Sequence, residues 1–160
     1  MPTKSSRVVF AVEPLALGLA NGLDDLATMN AQEAYAHMVE VPVAVNWPAL
    51  QMAERRGEFI GISARKAGKL VGYAGYFLRL STHQGLIALN DSLYLDPSVR
   101  QGWTALELLA FAAREMKTRG AVLVRQGLQH STEPQRHARM VALIARAGYA
   151  ETETIHTLIL

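Results

Sequence analysis

The sequence predicts an α+β fold, in which helices cover both faces of a mixed, mostly antiparallel β-sheet (an α/β/α sandwich). Between residues 58 and 95, three strand-like runs follow one another with only short turns between them, which is typical of antiparallel strands. Residues 104–119 and 134–146 place apolar side chains at helical spacing. The chain has 160 residues, half of them hydrophobic, and we expect one domain that spans residues 1–160.

The N-terminal part is predicted to contain one strand and a helical region. Residues 7–12 are apolar and rich in β-branched side chains, which is typical of a first strand. From residue 13 to about residue 38, apolar residues recur at helical intervals. Two dipeptides are expected to break this region into shorter helices, Asn21-Gly22 and Met29-Asn30. Pro48 then begins a further helix that reaches Arg56, and Gly57 ends it.

The middle of the chain is predicted to form antiparallel strands. Residues 58–65 and 69–80 pair as a hairpin around the turn Lys66-Ala67-Gly68. A second turn, His83-Gln84-Gly85, leads into a strand over residues 86–95. Four more elements follow in the order helix, strand, helix and strand, over residues 104–119, 121–128, 134–146 and 149–160.

Composition and charge exclude several classes of protein. The chain has no cysteine, which rules out disulfides, thiolate nucleophiles and cysteine-bound zinc. No apolar run is long enough for a membrane span or for the core of a signal peptide, so we expect a cytoplasmic protein with no membrane partner. The formal net charge is +2 and the basic residues are scattered, which argues against nucleic acid as a partner.

The most informative segment lies between Leu89 and Ala121. An apolar strand leads into a turn that carries Asp96-Pro97 and then residues 100–102, and a long amphipathic helix follows. Such a layout exposes main-chain N–H groups and the positive end of a helix at the mouth of a sheet. Groups of this kind bind phosphate and pyrophosphate. The sequence therefore predicts an anion site at this turn.

The order of elements and the residues at their joints resemble the GNAT superfamily of acetyl-CoA-dependent N-acyltransferases. Residues 93–97, Leu-Tyr-Leu-Asp-Pro, are similar to the end of the family's fourth strand. Residues 100–105, Arg-Gln-Gly-Trp-Thr-Ala, lie where the family has its R-x-x-G-x-G/A loop. Residues 138–149 end in Arg-Ala-Gly-Tyr and are similar to the family's fourth helix and closing turn. The resemblance covers nearly the whole chain.

The resemblance implies a donor site for acetyl-CoA. In this family the fourth strand splays away from the fifth, and the gap receives the pantetheine arm of the cofactor. Main-chain amides of the turn after the fourth strand hold the pyrophosphate. By this resemblance, the residues expected to bind the cofactor are Leu93, Tyr94, Leu95, Arg100, Gln101, Gly102, Trp103, Thr104 and Ala105.

The match is closest to a compact group of GNAT proteins that is common in phage genomes, which implies a phage origin and the host cytoplasm as the location. The group's pattern has a His-x-x-Glu, a Gly-x-Leu-Val-Gly-Tyr strand, and a His before an acidic residue on the fourth strand. This chain has His37 and Glu40, residues 68–73, and then His83 and Asp91. The resemblance implies that His37 and Glu40 bind the acceptor substrate, although their spacing also fits an intrahelical pair. No third ligand at suitable spacing supports a metal site.

Two positions depart from the family pattern. Trp103 stands where the loop pattern has a glycine, and its indole either packs over the adenine of the donor or anchors the helix against the core. Ile144 stands where many family members have a tyrosine that protonates the departing thiolate. A hydrocarbon cannot donate a proton, so water or another residue would have to do so.

Asp91 and His83 are the candidate catalytic residues. Asp91 lies on the same alternation as Leu89, Leu93 and Leu95, so it is expected to share their face of the strand. A carboxyl group among apolar neighbours has a raised pKa, which would suit Asp91 to act as a base. The alternative is that Asp91 is a solvated strand residue or a hydrogen-bond acceptor in a turn. His83 lies in the preceding turn and could move a proton or contact the substrate. The alternative is a surface residue without a role.

These features predict an N-acyltransferase that moves an acetyl group from acetyl-CoA to a primary amine on a small molecule or a protein. Because the chain has no cysteine for an acyl-enzyme, the amine would attack directly in a ternary complex. The alternative is a catalytically silent GNAT-fold module that binds or regulates a host protein, and Trp103 and Ile144 favour it. The C-terminal strand could pair with a second copy at an exposed edge, which would give a homodimer.

Overall fold

The described strands and helices follow one another in the order that the sequence predicts. The computed structural model describes residues 7–34, 44–100, 103–128 and 134–152. In chain order its elements are β1 (Val8–Val12), α1 (Leu15–Leu19), α2 (Leu23–Ala34), α3 (Trp47–Arg55), β2 (Phe59–Lys66), β3 (Lys69–Ser81), β4 (Gly85–Leu95), α4 (Thr104–Thr118), β5 (Leu123–Arg125) and α5 (Pro134–Arg146). No helix of the described residues combines the length and the apolar character that a membrane span requires.

Within the part of the chain that the structure describes, five strands form one sheet in the order β1-β2-β3-β4-β5. Each pair from β1 to β4 is antiparallel, and only β4 and β5 are parallel. The hairpin between β2 and β3 turns on Ala67 and Gly68, whose φ angles of 50° and 80° suit the tight two-residue turn. The predicted α+β class, with a mixed and mostly antiparallel sheet, is confirmed.

Helices cover both faces of the sheet, because the alternation of its strands buries side chains on each side. On one face, Ala74 and Tyr76 of β3 pack against Leu108, Ala112 and Met116 of α4. The other face is covered by α1, α2 and α3, and its buried residues are Leu15, Leu23, Leu26, Phe59, Leu70, Tyr73 and Tyr94. Burial of these apolar side chains from water is the main force that holds the two layers to the sheet.

The predicted break at Met29-Asn30 is wrong, because α2 continues through both residues to Ala34. Leu23 and Leu26 of this helix are buried against the sheet, and this packing outweighs the weak helix propensity of asparagine. Gly22, with a φ of 90°, does separate α1 from α2 as expected.

The predicted strand over residues 121–128 is too long, since β5 covers only Leu123–Arg125. Its end coincides with the place where its pairing with β4 stops. The predicted C-terminal strand over residues 149–160 begins too early, because residues 149–152 have no regular structure. The remainder of that prediction lies outside the described residues.

Candidate functional site

β4 and β5 pair over a short stretch and then separate. Their parallel ladder joins Ile87 to Leu123 and ends where Leu89 meets Arg125. Beyond Leu89, β4 continues to Leu95 and pairs only with β3 within the described residues. Among the described residues, no other strand pairs over this stretch with the edge of β4 that faces β5. We call this opening the fork.

Side chains close the base of the fork. Asn90 and Gln126 are the first residues beyond the paired segment, and Gln126 Nε2 donates a hydrogen bond to Asn90 Oδ1 at 2.7 Å. The buried Tyr76 hydroxyl donates to Gln126 Oε1 at 3.2 Å. Asn90 Nδ2 in turn donates to the main-chain oxygens of Gly75 at 3.2 Å and Ser92 at 2.9 Å. These side-chain contacts link the two strands at the point where their main-chain pairing ends.

Asp91 is the extra residue of a β-bulge in β4. Ser92 lies opposite Gly75 and Asn90 lies opposite Tyr76, so Asp91 has no opposite residue on β3. Its side chain reaches solvent, but the surrounding protein removes part of the water from the carboxyl group and raises its pKa. The structure thus places a carboxyl group with a raised pKa beside the fork.

The bulge corrects the expected orientation of Asp91. Leu89 lies opposite Phe77, which packs on the side of α1, α2 and α3, whereas Leu93 packs against the core on the side of α4. Leu89 and Leu93 therefore lie on opposite faces. The expectation that Asp91 shares one face with Leu89, Leu93 and Leu95 is wrong, because the extra residue shifts the alternation between them.

The turn after β4 leads to a helix whose first amides are not capped by a side chain. Asp96 accepts a hydrogen bond from the amide of Ser98 at 2.9 Å and starts a short 3₁₀ turn. α4 follows Trp103, and within the described residues no side chain caps its N-terminus. The N–H groups of Thr104 and Ala105 lie in the first turn of α4, where the helix itself offers them no acceptor. This end of α4 carries the positive end of the helix dipole.

Arg100 joins the turn to β4 and to α2. Its Nε donates to the main-chain oxygen of Leu95 at 2.6 Å, and its guanidinium lies 4.9 Å from the centre of the Tyr94 ring. Its Nη2 donates to Glu33 Oε1 at 3.0 Å, and Glu33 also accepts hydrogen bonds from Arg136 of α5 and from the Tyr94 hydroxyl. Burial acts to raise the pKa of Glu33, but the two arginines outweigh it and the pKa is lowered.

The structure brings most of the predicted cofactor residues to the fork and the turn above it. Leu93, Tyr94 and Leu95 lie on the part of β4 that has left β5, and Arg100, Trp103, Thr104 and Ala105 follow in the turn and the first turn of α4. Four predicted site residues lie outside the described residues, namely His37, Glu40, Gln101 and Gly102.

His83 and Asp91, the two predicted catalytic residues, are not brought together. His83 is exposed in the turn before β4, and Asp91 lies six residues beyond Gly85 along the strand. At the usual rise of a strand this separation is about 20 Å. Any role of His83 is therefore independent of the Asp91 carboxylate.

The C-terminal end of α5 brings another hydroxyl group close to the fork. Ile144 is buried within α5, and its carbonyl oxygen accepts a hydrogen bond from the Tyr149 amide at 3.2 Å. The Tyr149 hydroxyl oxygen is buried and has no hydrogen-bond partner within the described residues. Tyr149 is close enough to Tyr76 to act on its pKa, although burial is the main reason that the pKa of Tyr76 is raised.

Several residues at this site escape prediction from the sequence alone. They share no local motif, because the contacts Gln126–Asn90, Arg100–Glu33 and Arg136–Glu33 join positions that are 36, 67 and 103 residues apart. Only the fold brings such pairs together.

Comparison with known proteins shows which fold this is. No family model matches the chain, and no curated protein sequence matches it. Among solved structures, the chain is similar to the aminoglycoside N-acetyltransferase AAC(6')-Iy in complex with CoA, with a TM-score of 0.69 and 17% identity over 100% of this chain and 98% of the other. The chain has the GNAT fold.

Two further structures illustrate how widely this fold is used. A ribosomal-protein-alanine N-acetyltransferase from Brucella melitensis biovar Abortus 2308 matches with a TM-score of 0.68 and 17% identity, over 96% of this chain and 99% of the other. A transcriptional regulator from Bacillus halodurans C-125 matches with a TM-score of 0.71 and 18% identity, over 96% of this chain and 100% of the other. Function must therefore be argued from the site.

Proposed function

We propose that this protein is an N-acetyltransferase that uses acetyl-CoA as its acyl donor. The observation that carries the proposal is the fork, because β4 leaves β5 after Leu89 and leads into the uncapped N-terminus of α4. An open strand edge offers N–H and C=O groups to an extended, amide-containing arm such as pantetheine. The N-terminus of a helix offers N–H groups to a diphosphate.

Each part of the donor has a proposed place at the site. The pantetheine arm lies along the open edge at Leu93, Tyr94 and Leu95, and the diphosphate lies at the turn of residues 100–105. A main-chain N–H of β4 polarises the thioester carbonyl as an oxyanion-type donor. The similarity to an acetyltransferase solved with CoA supports this placement.

The proposed reaction is a direct transfer in a ternary complex. The nitrogen of a neutral primary amine attacks the thioester carbon, and the carbon–sulfur bond breaks to release the thiolate. Asp91, directly or through one water, takes the proton that the amine loses, and its raised pKa suits that task. The thiolate takes a proton from water or from a neighbouring hydroxyl group. The chain has no cysteine for an acyl-enzyme.

The acceptor is proposed to be a primary amine on a small molecule or a protein. Proteins of the same fold include an aminoglycoside acetyltransferase and a ribosomal-protein-alanine acetyltransferase, so both kinds of acceptor are compatible with it. His37 and Glu40 are proposed to contact the acceptor. A cytoplasmic location, the host cytoplasm for a phage protein, and assembly as a homodimer remain predictions from the sequence.

Calorimetry with acetyl-CoA and CoA tests the proposed function. We expect both to bind with dissociation constants in the micromolar range, because diphosphate and pantetheine each gain hydrogen bonds at the fork. Absence of binding at high micromolar concentration would overturn the proposal. Binding without release of free thiol across a screen of primary amines would instead support a silent binding module.

A further inference from the structure

Trp103 is a large aromatic side chain that the fold leaves mostly in water. It is 65% exposed, although tryptophan is usually well buried in folded proteins. This exposure removes one of the two roles that the sequence left open, in which the indole anchors α4 against the core. The side chain instead lies at the surface beside the first residue of α4.

Arg146 holds the indole from a neighbouring helix. Its guanidinium carbon lies 4.9 Å from the centre of the Trp103 ring, which is the geometry of a cation–π contact. Arg146 is the last residue of α5, so the pair joins two helices at the surface. With most of its surface in solvent, the indole has room for a second stacking partner.

The position of the pair indicates what that partner is. Trp103 immediately precedes Thr104, whose helical turn is proposed to hold the diphosphate of the donor. In CoA the diphosphate is followed directly by a ribose that carries a 3′-phosphate and an adenine. An exposed indole suits the flat adenine, since bases stack on aromatic side chains. The positive charge of Arg146 suits the 3′-phosphate.

We propose that Trp103 and Arg146 form the adenosine end of the donor site, with the indole stacked on the adenine and the guanidinium facing the 3′-phosphate. This inference rests on the proposed function. It assigns the protein a preference for donors that carry the nucleotide. A donor that ends at 4′-phosphopantetheine, as an acyl carrier protein does, would not use this pair.

Donor fragments separate the contribution of the pair from that of the fork. Calorimetry with CoA and with 4′-phosphopantetheine is run on the wild type and on the W103A and W103F variants. We expect W103A to bind CoA about 10- to 100-fold more weakly, as for one lost base stack. W103F should keep most of the affinity, and 4′-phosphopantetheine should bind all three proteins alike.

Arg146 is tested by the presence or absence of one phosphate. We expect Arg146→Gln to weaken the binding of CoA but not that of dephospho-CoA, which lacks the 3′-phosphate. An equal loss for both ligands would show that the side chain acts by holding the helices rather than by facing the phosphate.

Intrinsic fluorescence gives a readout that does not depend on affinity. The chain has two tryptophans, so the Trp47→Phe variant leaves Trp103 as the only fluorescent tryptophan. The Nε1 of Trp47 donates a hydrogen bond to Asp24 Oδ1 at 2.8 Å, and the variant lacks this bond. Adenine stacked on the indole should quench this emission when CoA binds, and 4′-phosphopantetheine should not.

The outcomes distinguish this inference from the proposed function. If CoA does not bind the wild type, the proposed function fails. If CoA binds the wild type and W103A equally, or if W103A loses both ligands to the same extent, the adenosine site alone is overturned.

Discussion

A single extra residue in β4 decides where the candidate base lies. Asp91 occupies the bulge, so neither the regular alternation of the strand nor an opposite residue on β3 sets its direction. The sequence identified Asp91 as a polar residue in an apolar strand, and the structure places it beside the fork. Its face could not be predicted, because a bulge depends on the register with β3 rather than on the residues of β4.

Asp91→Asn should separate catalysis from binding. We expect kcat to fall by about 10²- to 10⁴-fold, which is typical for loss of a general base, while the affinity for CoA stays unchanged. Free-thiol release with an acceptor amine measures the first quantity and calorimetry the second. The Glu107→Gln variant is the control, because this carboxylate contacts Arg7 in an exposed position, and it should keep kcat within the same order of magnitude. Wild-type turnover in Asp91→Asn would contradict the role.

The pH dependence of this variant follows from the raised pKa of Asp91. As a base, Asp91 must be ionised, so wild-type activity should fall as the pH drops through that raised value, and Asp91→Asn should lack this limb. Because the folded protein disfavours the charged carboxylate, ionised Asp91 lowers the free energy of unfolding at neutral pH. This destabilisation disappears as the pH falls and the carboxylate takes up a proton. Asp91→Asn should therefore unfold at neutral pH at no lower temperature than the wild type.

At the scale of elements, the fork depends on where β5 stops pairing. The apolar run after α4 predicts a strand, but its partner and its end come from the tertiary structure. β5 pairs with β4 only as far as Arg125, and the Gln126 side chain bonds to Asn90 just beyond that point. The helices were predicted more closely, because their apolar spacing and their terminal glycines are local signals. Pro134–Arg146, for example, matches the predicted bounds of α5.

Asn90→Ala should weaken the base of the fork. The substitution leaves Gln126 Nε2 without this acceptor, so we expect a loss of about 1–3 kcal/mol in the free energy of unfolding. Urea denaturation measures it, and calorimetry should show weaker binding of CoA because the strand edge is less well held. Gln84→Ala is a matched control, because Gln84 contacts Arg125 of β5 in an exposed position. That variant should stay within about 0.5 kcal/mol of the wild type. Equal stability of both variants would contradict the bridging role.

At the scale of the whole molecule, Glu33 connects three parts of the fold. Its carboxylate contacts Arg100 of the turn, Arg136 of α5 and the hydroxyl of Tyr94 on β4, while Glu33 itself belongs to α2. These partners are partly exposed, so each pair contributes little alone, but together they dock α5 beside the fork.

Glu33→Gln should increase the local opening of α5 and lower the stability of the whole protein only slightly. We expect the free energy of unfolding to fall by about 1 kcal/mol and amide hydrogen exchange to become faster in α5 but not in α4. Because the pKa of Glu33 is lowered, its stabilising effect is present at neutral pH and is lost as the pH falls through that lowered value. The difference between variant and wild type should therefore vanish in acid.

A second carboxylate provides the control for Glu33. Glu107 pairs with Arg7 across a contact in which both side chains are well exposed, so Glu107→Gln should leave the exchange in α5 unchanged. Unchanged protection of α5 in Glu33→Gln would show that Glu33 does not dock this helix.

The sequence alone was enough to predict the fold class, the order of the described elements and the segment that leads from β4 into α4. These follow from local patterns, because hydrophobic periodicity, turn glycines and helix starts act over a few residues. Tertiary structure alone decided the bulge at Asp91, the polar base of the fork, the Glu33 contacts and the stacking of Arg146 on Trp103. Each of these brings together residues that are distant along the chain or depends on the register between strands, and the packing of the fold fixes both.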